Sequence, residues 1–231
     1  MIFGATGYTG RAVVSLLCER GVDTIAHIRP DSSRLAEWSD RFQAMGARVD
    51  TTPWDEAQMA TTLAREAADL LFYLIGTTRA RDRKSDADEG YDAIDYGLLK
   101  LLVDACQNES AKVEPRIVYL SAIGVRENRR SSYYRARWNA EQALRESGLP
   151  YLIARPAIIT GSNRDETRVM ERIGGSLANL ASRGLRVLGA KELADRYRSM
   201  SNVELAAALV DHALDGKGEN RIVEAQDLKI R

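Results

Sequence analysis

The chain has 231 residues, with 33 Lys+Arg against 33 Asp+Glu, so its formal net charge is zero. That balance argues against a nucleic-acid binder, which carries a basic excess on one face. No apolar run approaches the roughly 20 residues that span a membrane, so the sequence predicts neither nucleic acid nor membrane as a partner. Arginine supplies 27 of the 33 cations.

The length suits one α/β domain spanning residues 1–231. Cys18 and Cys106 are far apart and form no C-x-x-C pair, and the N-terminus has no charged-then-apolar signal. Free thiols and a cytoplasmic location are expected. Met1–Phe3 reads as a very short strand and Tyr8–Arg20 as a helix stopped at Gly21. Thr24–Ile28 and Arg48–Thr51 are the next strands, alternating with helices over Ser32–Met45 and Glu56–Glu66. Leu70–Ile75 is an unbroken apolar run, as in a strand covered on both faces. A helix over Tyr91–Gln107, a strand over Arg116–Leu120, a helix over Ser132–Glu146 and a strand over Tyr151–Ala154 follow. This alternation predicts an α/β, doubly wound parallel sheet flanked by helices. Beyond residue 157 the rhythm breaks. Val169–Leu180 and Val203–Leu214 read as helices and Arg221–Glu224 as a late strand, expected to form a small C-terminal substrate lobe. Arg79–Glu89, with four cations and four anions, reads as a surface loop or as a lid at a strand end.

The strongest motif is Gly4-Ala5-Thr6-Gly7-Tyr8-Thr9-Gly10, set between a strand and a helix. Gly4 permits a tight turn, Gly7 lets the backbone approach a pyrophosphate, and Gly10 lets the helix pack closely. The helix N-terminus then offers N–H groups and partial positive charge to phosphates.

The loop resembles that of the extended and atypical short-chain dehydrogenase/reductases, a Rossmann-type family. Leu74-Ile-Gly76-Thr77-Thr78-Arg79 resembles the fourth-strand motif of the Tat-interacting-protein-like, NmrA-like branch. Tyr119-Leu-Ser121-Ala-Ile-Gly124 resembles the serine-bearing fifth strand, and Ala154-Arg155-Pro156 the turn after the sixth. Ser199-Met-Ser-Asn-Val203 and Ile222-Val-Glu-Ala225 resemble the closing segments. The family carries about five or six residues before the first glycine; three stand here, so either the central strand is short or the start is truncated. The resemblance implies nicotinamide-cofactor contacts at Gly76, Thr77 and Thr78, and at Pro156, Ala157 and Ile158.

An acidic residue at the end of the second strand favours NAD, whereas Arg29 stands there, which suits the 2′-phosphate of NADP. Ser32, Ser33 and Arg34 add donors, while nearby Asp31 keeps NAD as the alternative. Thr51–Asp55 leaves the adenine contact unassigned.

The resemblance implies a catalytic serine, tyrosine and cation at Ser121, Tyr133 and Arg137. The family has lysine at the last position. Tyr133, Arg137 and Glu141 share one helix face and line one groove. Tyr134 is a rival for the tyrosine but points about 100° away. Arg137 either preserves the lysine's charge, in keeping with the arginine bias, or marks lost catalysis, because a guanidinium does not release its proton. Arg126, Arg129, Arg130 and Arg135 against Glu127 read as a solvated loop or as a mouth for an anionic substrate. His27 and His212 lack metal-ligand spacing, so no metal is expected.

Two functional readings follow. One is an NADP-dependent oxidoreductase acting on a small-molecule carbonyl or hydroxyl, with a sugar-nucleotide epimerase or dehydratase in the same mechanistic class. The other is an NADP-sensing regulatory module. The exposed faces of the Tyr91–Gln107 and Ser132–Glu146 helices offer surfaces for a homodimer or a protein partner.

Overall fold

The computed structural model describes residues 1–76, 92–128, 130–157, 159–160, 200–216 and 220–228. Strands β1 (Ile2–Phe3), β2 (Ile25–His27), β3 (Arg48–Asp50) and β4 (Leu70–Tyr73) alternate with helices α1 (Tyr8–Glu19), α2 (Leu35–Ala44) and α3 (Glu56–Glu66). A π-helical stretch, Asp92–Gly97, leads into α4 (Leu98–Gln107). Then come β5 (Arg116–Leu120), α5 (Ser132–Glu146), β6 (Tyr151–Arg155), β7 (Ile159–Thr160), β8 (Met200–Ser201), α6 (Asn202–Leu214) and β9 (Arg221–Glu224).

Seven strands form one parallel sheet in the order β3-β2-β1-β4-β5-β6-β9. The doubly wound α/β architecture is therefore the one expected from the alternation. Two side-chain sets of alternating residues explain why both faces are covered. Phe72, Val118 and Leu152 point to the face carrying α1, α2 and α6, where they meet Val13, Phe42 and Leu209. Leu71, Tyr73, Ile117, Tyr119 and Ile153 point to the face carrying α3, α4 and α5, where they meet Leu63, Leu102 and Leu144. Each large apolar side chain removed from water contributes about 1.5–3 kcal/mol, so either face loses its reason to be a core if the period of two is broken.

The helix ends differ in a way that bears on function. Asp55 caps α3 by accepting from the Gln58 amide at 3.0 Å. Ser201 and Glu204 form a reciprocal capping box on α6. Helix α1 begins at Gly7 with no side-chain cap and no acidic residue in its first turn.

The late strand Arg221–Glu224 joins the main sheet beside β6. Helix α6 packs on α1, with Arg20 paired to Asp211 at 2.7 Å and the Asn202 amide donating to the Tyr8 carbonyl at 3.2 Å. This much of the C-terminal part belongs to the main sheet and its layers, while β7 and β8 pair in parallel as a separate two-stranded sheet. The helix expected over Val169–Leu180 and the charged Arg79–Glu89 loop lie outside the described residues. Where one α-helix was expected over Tyr91–Gln107, the chain makes a π turn before α4. One extra residue per turn shifts the helical phase, and here Asp95 comes out buried on the inner face. Among the described residues no helix is long and apolar enough to cross a membrane.

Candidate functional site

The strand order reverses between β1 and β4, and the carboxyl ends of those strands form the crevice where open α/β sheets take ligands. Gly4 leaves β1 with φ +83°, and a Cβ there would lie 2.9 Å from the Leu74 carbonyl carbon at the end of β4. Any other residue is strained at that φ and also collides. The Gly4 carbonyl accepts the Gly7 amide at 2.9 Å, closing the turn. A Cβ at Gly10 would run into the Gly4 carbonyl oxygen, so the loop and the first turn of α1 are in contact. Gly4 thus makes the tight turn and Gly10 the close helix packing that their spacing predicts. Gly7 is exposed, Ala5, Thr9 and Gly10 are buried, and Thr6 and Tyr8 are half-buried along the same loop. The uncapped, acid-free N-terminus of α1 fits an anionic phosphate group.

At the end of β2, Arg29 is exposed and its Nη1 lies 3.3 Å from Asp31 Oδ2. Ser33 is exposed and Ser32 half-buried in the same turn. Arg34 opens α2 and grips Glu37 with two hydrogen bonds of 2.6 Å. Three guanidinium groups surround one indole: Arg11, Arg34 and Arg41 lie 5.3, 4.9 and 5.0 Å from the Trp38 ring centroid. After β3, Asp50 is buried and turns back on its own loop, accepting from the Thr52 amide at 3.1 Å and hydroxyl at 2.9 Å.

The third group stands at the ends of β5 and α5. Tyr133 is half-buried, with the Tyr134 ring edge-on at 5.2 Å. Arg137, one turn on, is 6% exposed. Its Nη2 meets Asp95 Oδ1 at 3.0 Å, its Nη1 donates to the Leu120 carbonyl, and its guanidinium carbon lies 5.0 Å from the Tyr133 ring centroid. Gly76 makes room for it: a Cβ there would lie 2.7 Å from Arg137 Nη2. Burial opposes the guanidinium's charge, but Tyr133, Tyr119 and Asp95 outweigh it and hold the pKa above its usual value. Arg137 is a fixed cation. Burial first, with Asp95 nearby, raises the phenol pKa of Tyr119 and Tyr73 against the opposing charge of Arg137.

Glu141, the next residue along this helix face, is fully buried. It does not line an open groove with Tyr133. The sheet end closes over it, because Ser121 Oγ donates to its Oε1 at 2.5 Å and Arg155 holds both of its oxygens, at 3.0 and 2.6 Å. Arg155 also reaches Glu224 on β9 at 2.9 Å. The serine's one proton is committed to a carboxylate, so toward a ligand Ser121 presents lone pairs. Asp95, Arg155 and Glu224 were not expected at the site. A charged residue inside an apolar strand is a signal in the case of Arg155; for Asp95 the π turn hides it. Pro156 and Ala157 are buried beside this group, with the Pro156 carbonyl taking the Ile123 amide at 2.9 Å. Arg126, Arg130 and Arg135 are exposed around it. Thr77, Thr78, Arg129 and Ile158 lie outside the described residues.

A family model described as NAD(P)H-binding matches residues 4–184, which takes in the glycine loop, Tyr133, Arg137, Glu141 and Arg155 but not Glu224. The chain belongs to this NAD(P)H-binding family. No curated protein matches the sequence. Among solved structures, the UDP-Glc/GlcNAc 4-epimerase of Campylobacter jejuni is similar over 98% of this chain and 80% of its own, at 13% identity and TM-score 0.67. The UDP-glucuronic acid 4-epimerase of Bacillus cereus, solved with UDP-glucuronic acid and NAD, is similar over 96% and 75%, at 14% identity and TM-score 0.66. The Bordetella bronchiseptica enzyme WbmH, solved with NAD+, is similar over 97% and 74%, at 16% identity and TM-score 0.63. At these identities the likeness shows the fold, a Rossmann-type parallel sheet flanked by helices.

Proposed function

We propose that the protein is an NADP-dependent oxidoreductase of the atypical short-chain dehydrogenase/reductase group, in the Tat-interacting-protein-like, NmrA-like branch, acting on a carbonyl or hydroxyl of a small molecule. The observation that carries this reading is the buried, permanently charged Arg137, whose guanidinium carbon lies 5.0 Å from the centroid of the half-buried Tyr133 ring. The glycine loop, with its forced turn and uncapped helix, suits the cofactor's pyrophosphate. Arg29, Ser33 and Arg34 are the candidates for its adenosine ribose end, and Gly76, Pro156 and Ala157 for its nicotinamide end.

When bound, the nicotinamide supplies or takes the hydride. Tyr133 exchanges the proton with the substrate oxygen. Arg137 keeps a positive charge against the tyrosine oxygen after that proton has moved, a part that needs the charge but no proton release. Asp95 and the Leu120 carbonyl hold the guanidinium in register, so Arg137 acts from beneath Tyr133. Ser121, its own proton on Glu141, accepts from a substrate hydroxyl.

A panel of carbonyl substrates with NADPH tests this. Turnover in the wild type that falls by about 10²-fold or more in Tyr133→Phe supports it. Tight NADPH binding with no turnover across the panel overturns it in favour of a cofactor-sensing module, a reading supported by how fully Arg137 and Glu141 are enclosed. The epimerase reading draws on the fold likeness and on the acceptor character of Ser121, which suits a sugar hydroxyl. A cytoplasmic location is supported by two unpaired cysteines, with burial pushing the Cys106 thiol up to about 12. The outer faces of α4 and α5 are the candidate homodimer surface.

A further inference from the structure

We propose that Ser121, its proton fixed on Glu141, recognises a second hydroxyl of the substrate, so that the site takes α-hydroxy carbonyl compounds and the vicinal diols they become on reduction. The inference rests on the oxidoreductase reading and names the substrate class of that site. Glu141 is a positioning residue, acting on the substrate only through the serine.

Hydrogen-bond polarity comes first. A serine hydroxyl has one proton to donate and lone pairs to accept with. Ser121 Oγ donates to Glu141 Oε1 at 2.5 Å inside the protein, where the serine is 4% and the glutamate 0% exposed. The carboxylate is locked in place. Arg155 holds Oε1 with Nε at 3.0 Å and Oε2 with Nη2 at 2.6 Å, and is itself held at 2.9 Å by Glu224, its register partner on β9. A short hydrogen bond to a carboxylate is of the strong, charge-assisted kind, so Ser121 offers a ligand a lone pair. A carbonyl oxygen has no proton to place there.

Position comes second. Arg137 Nη1 is bonded to the carbonyl of Leu120, the residue before Ser121, and its guanidinium carbon lies 5.0 Å from the Tyr133 ring centroid. The serine at the end of β5 and the tyrosine at the start of α5 therefore flank one guanidinium. The reacting oxygen trades its proton with Tyr133, so the donor for Ser121 is a different group. A hydroxyl on the neighbouring carbon of the same molecule is that donor. In reduction the carbonyl carbon gains the hydride that the nicotinamide supplies and its oxygen gains the Tyr133 proton. The neighbouring hydroxyl keeps its own proton and donates to Ser121 Oγ before and after the step. A ketone without that hydroxyl leaves the serine acceptor unmatched, and a site built to pair with a hydroxyl rejects the analogue that lacks it.

NADPH-dependent reduction of acetoin against butanone, and of α-hydroxycyclohexanone against cyclohexanone, tests this in wild type, Ser121→Ala, Ser121→Thr and Glu141→Gln. Wild-type kcat/KM is expected to be about tenfold or more higher for the hydroxylated member of each pair. That ratio should fall by about threefold or more in Ser121→Ala and Glu141→Gln, and stay within about twofold in Ser121→Thr, which keeps the hydroxyl. A purely structural role would lower both members alike and leave the ratio unmoved. A wild-type ratio near unity overturns the inference and leaves the oxidoreductase reading standing, as does a ratio that survives in Ser121→Ala or, where that variant is too slow to assay, in Glu141→Gln. The hydrogen bond itself is read by proton magnetic resonance of the substrate-free protein, as an exchange-protected hydroxyl proton that Ser121→Ala removes and Glu141→Gln shifts. Its absence from the wild type overturns the inference whatever the rates. Turnover confined to carbonyls without a neighbouring hydroxyl overturns the inference alone, and no turnover of any carbonyl overturns the oxidoreductase reading and the inference with it.

Discussion

Arg34 and Arg137 are the same residue in opposite settings. Arg34 lies on the surface in a group of three guanidiniums with one carboxylate, and solvent screens whatever it gains from Glu37. Arg137 is buried, and each neighbour is specific: Asp95 on the π turn, the Leu120 carbonyl, the Tyr133 ring. Arg155 repeats the buried pattern with Glu141 and Glu224. The arginine bias of the composition therefore covers two kinds of work. On the surface an arginine is a solvated charge that shares a carboxylate with its neighbours. Inside, it is a structural member whose removal leaves an anion stranded in low dielectric.

That contrast can be broken in steps. The largest effect is expected from Asp95→Ala, which leaves the Arg137 guanidinium buried beside no carboxylate. About 3–5 kcal/mol of unfolding free energy should be lost in urea titration. The double variant Asp95→Leu/Arg137→Met should recover much of that, because an apolar pair of similar volume replaces both charges; equal losses in the single and double variants would show that Asp95 matters for some other reason. Glu141→Gln comes next. It removes the carboxylate shared by Ser121 and Arg155 and should cost about 2–4 kcal/mol, with Arg155 kept partly satisfied by Glu224.

The third step is in pH. His27 is buried between the Phe3 and Trp54 rings, bonded to the Thr52 carbonyl and close to Asp50 and Arg29; burial holds its pKa below the usual value. The unfolded chain then binds the extra proton first. This stabilisation is complete above about pH 6.5 and is lost as pH falls below it, by up to about 1.4 kcal/mol per pH unit. Melting temperatures from pH 7.5 down to 5 should fall more steeply for wild type than for His27→Phe. The smallest effect belongs to the surface: Arg41→Ala should change stability by less than about 0.5 kcal/mol and lose even that at high salt.

Most of the sheet is legible in the sequence because its apolar runs are buried on both faces and are bounded by helix signals. Strands β4, β5 and β6 fall within one or two residues of where Leu70–Ile75, Arg116–Leu120 and Tyr151–Ala154 put them. The glycine loop is legible for a stronger reason. Gly4 answers to its own positive φ and Gly10 to the Gly4 carbonyl six residues back, both short-range constraints. What periodicity cannot supply is the partner of a buried charge. The spacing of Tyr133, Arg137 and Glu141 gives their common face but not the two separate networks beneath it. One of these depends on a π turn with no sequence mark, and the other on Arg155 and Glu224 from strands that become neighbours only when the sheet assembles.

The contact between α1 and α6 also has a history in time. The Asn202 side chain that grips the Tyr8 carbonyl is separated from it by 194 residues. At the usual pace of about 5–20 residues per second, that segment leaves the ribosome roughly 10–40 s after α1 does. Throughout that interval Val13, Val14 and Leu17, which end in the core beside Leu205 and Leu209, lack their final cover. The nascent protein therefore keeps apolar surface uncovered on the helix that follows its glycine loop until α6 has been made.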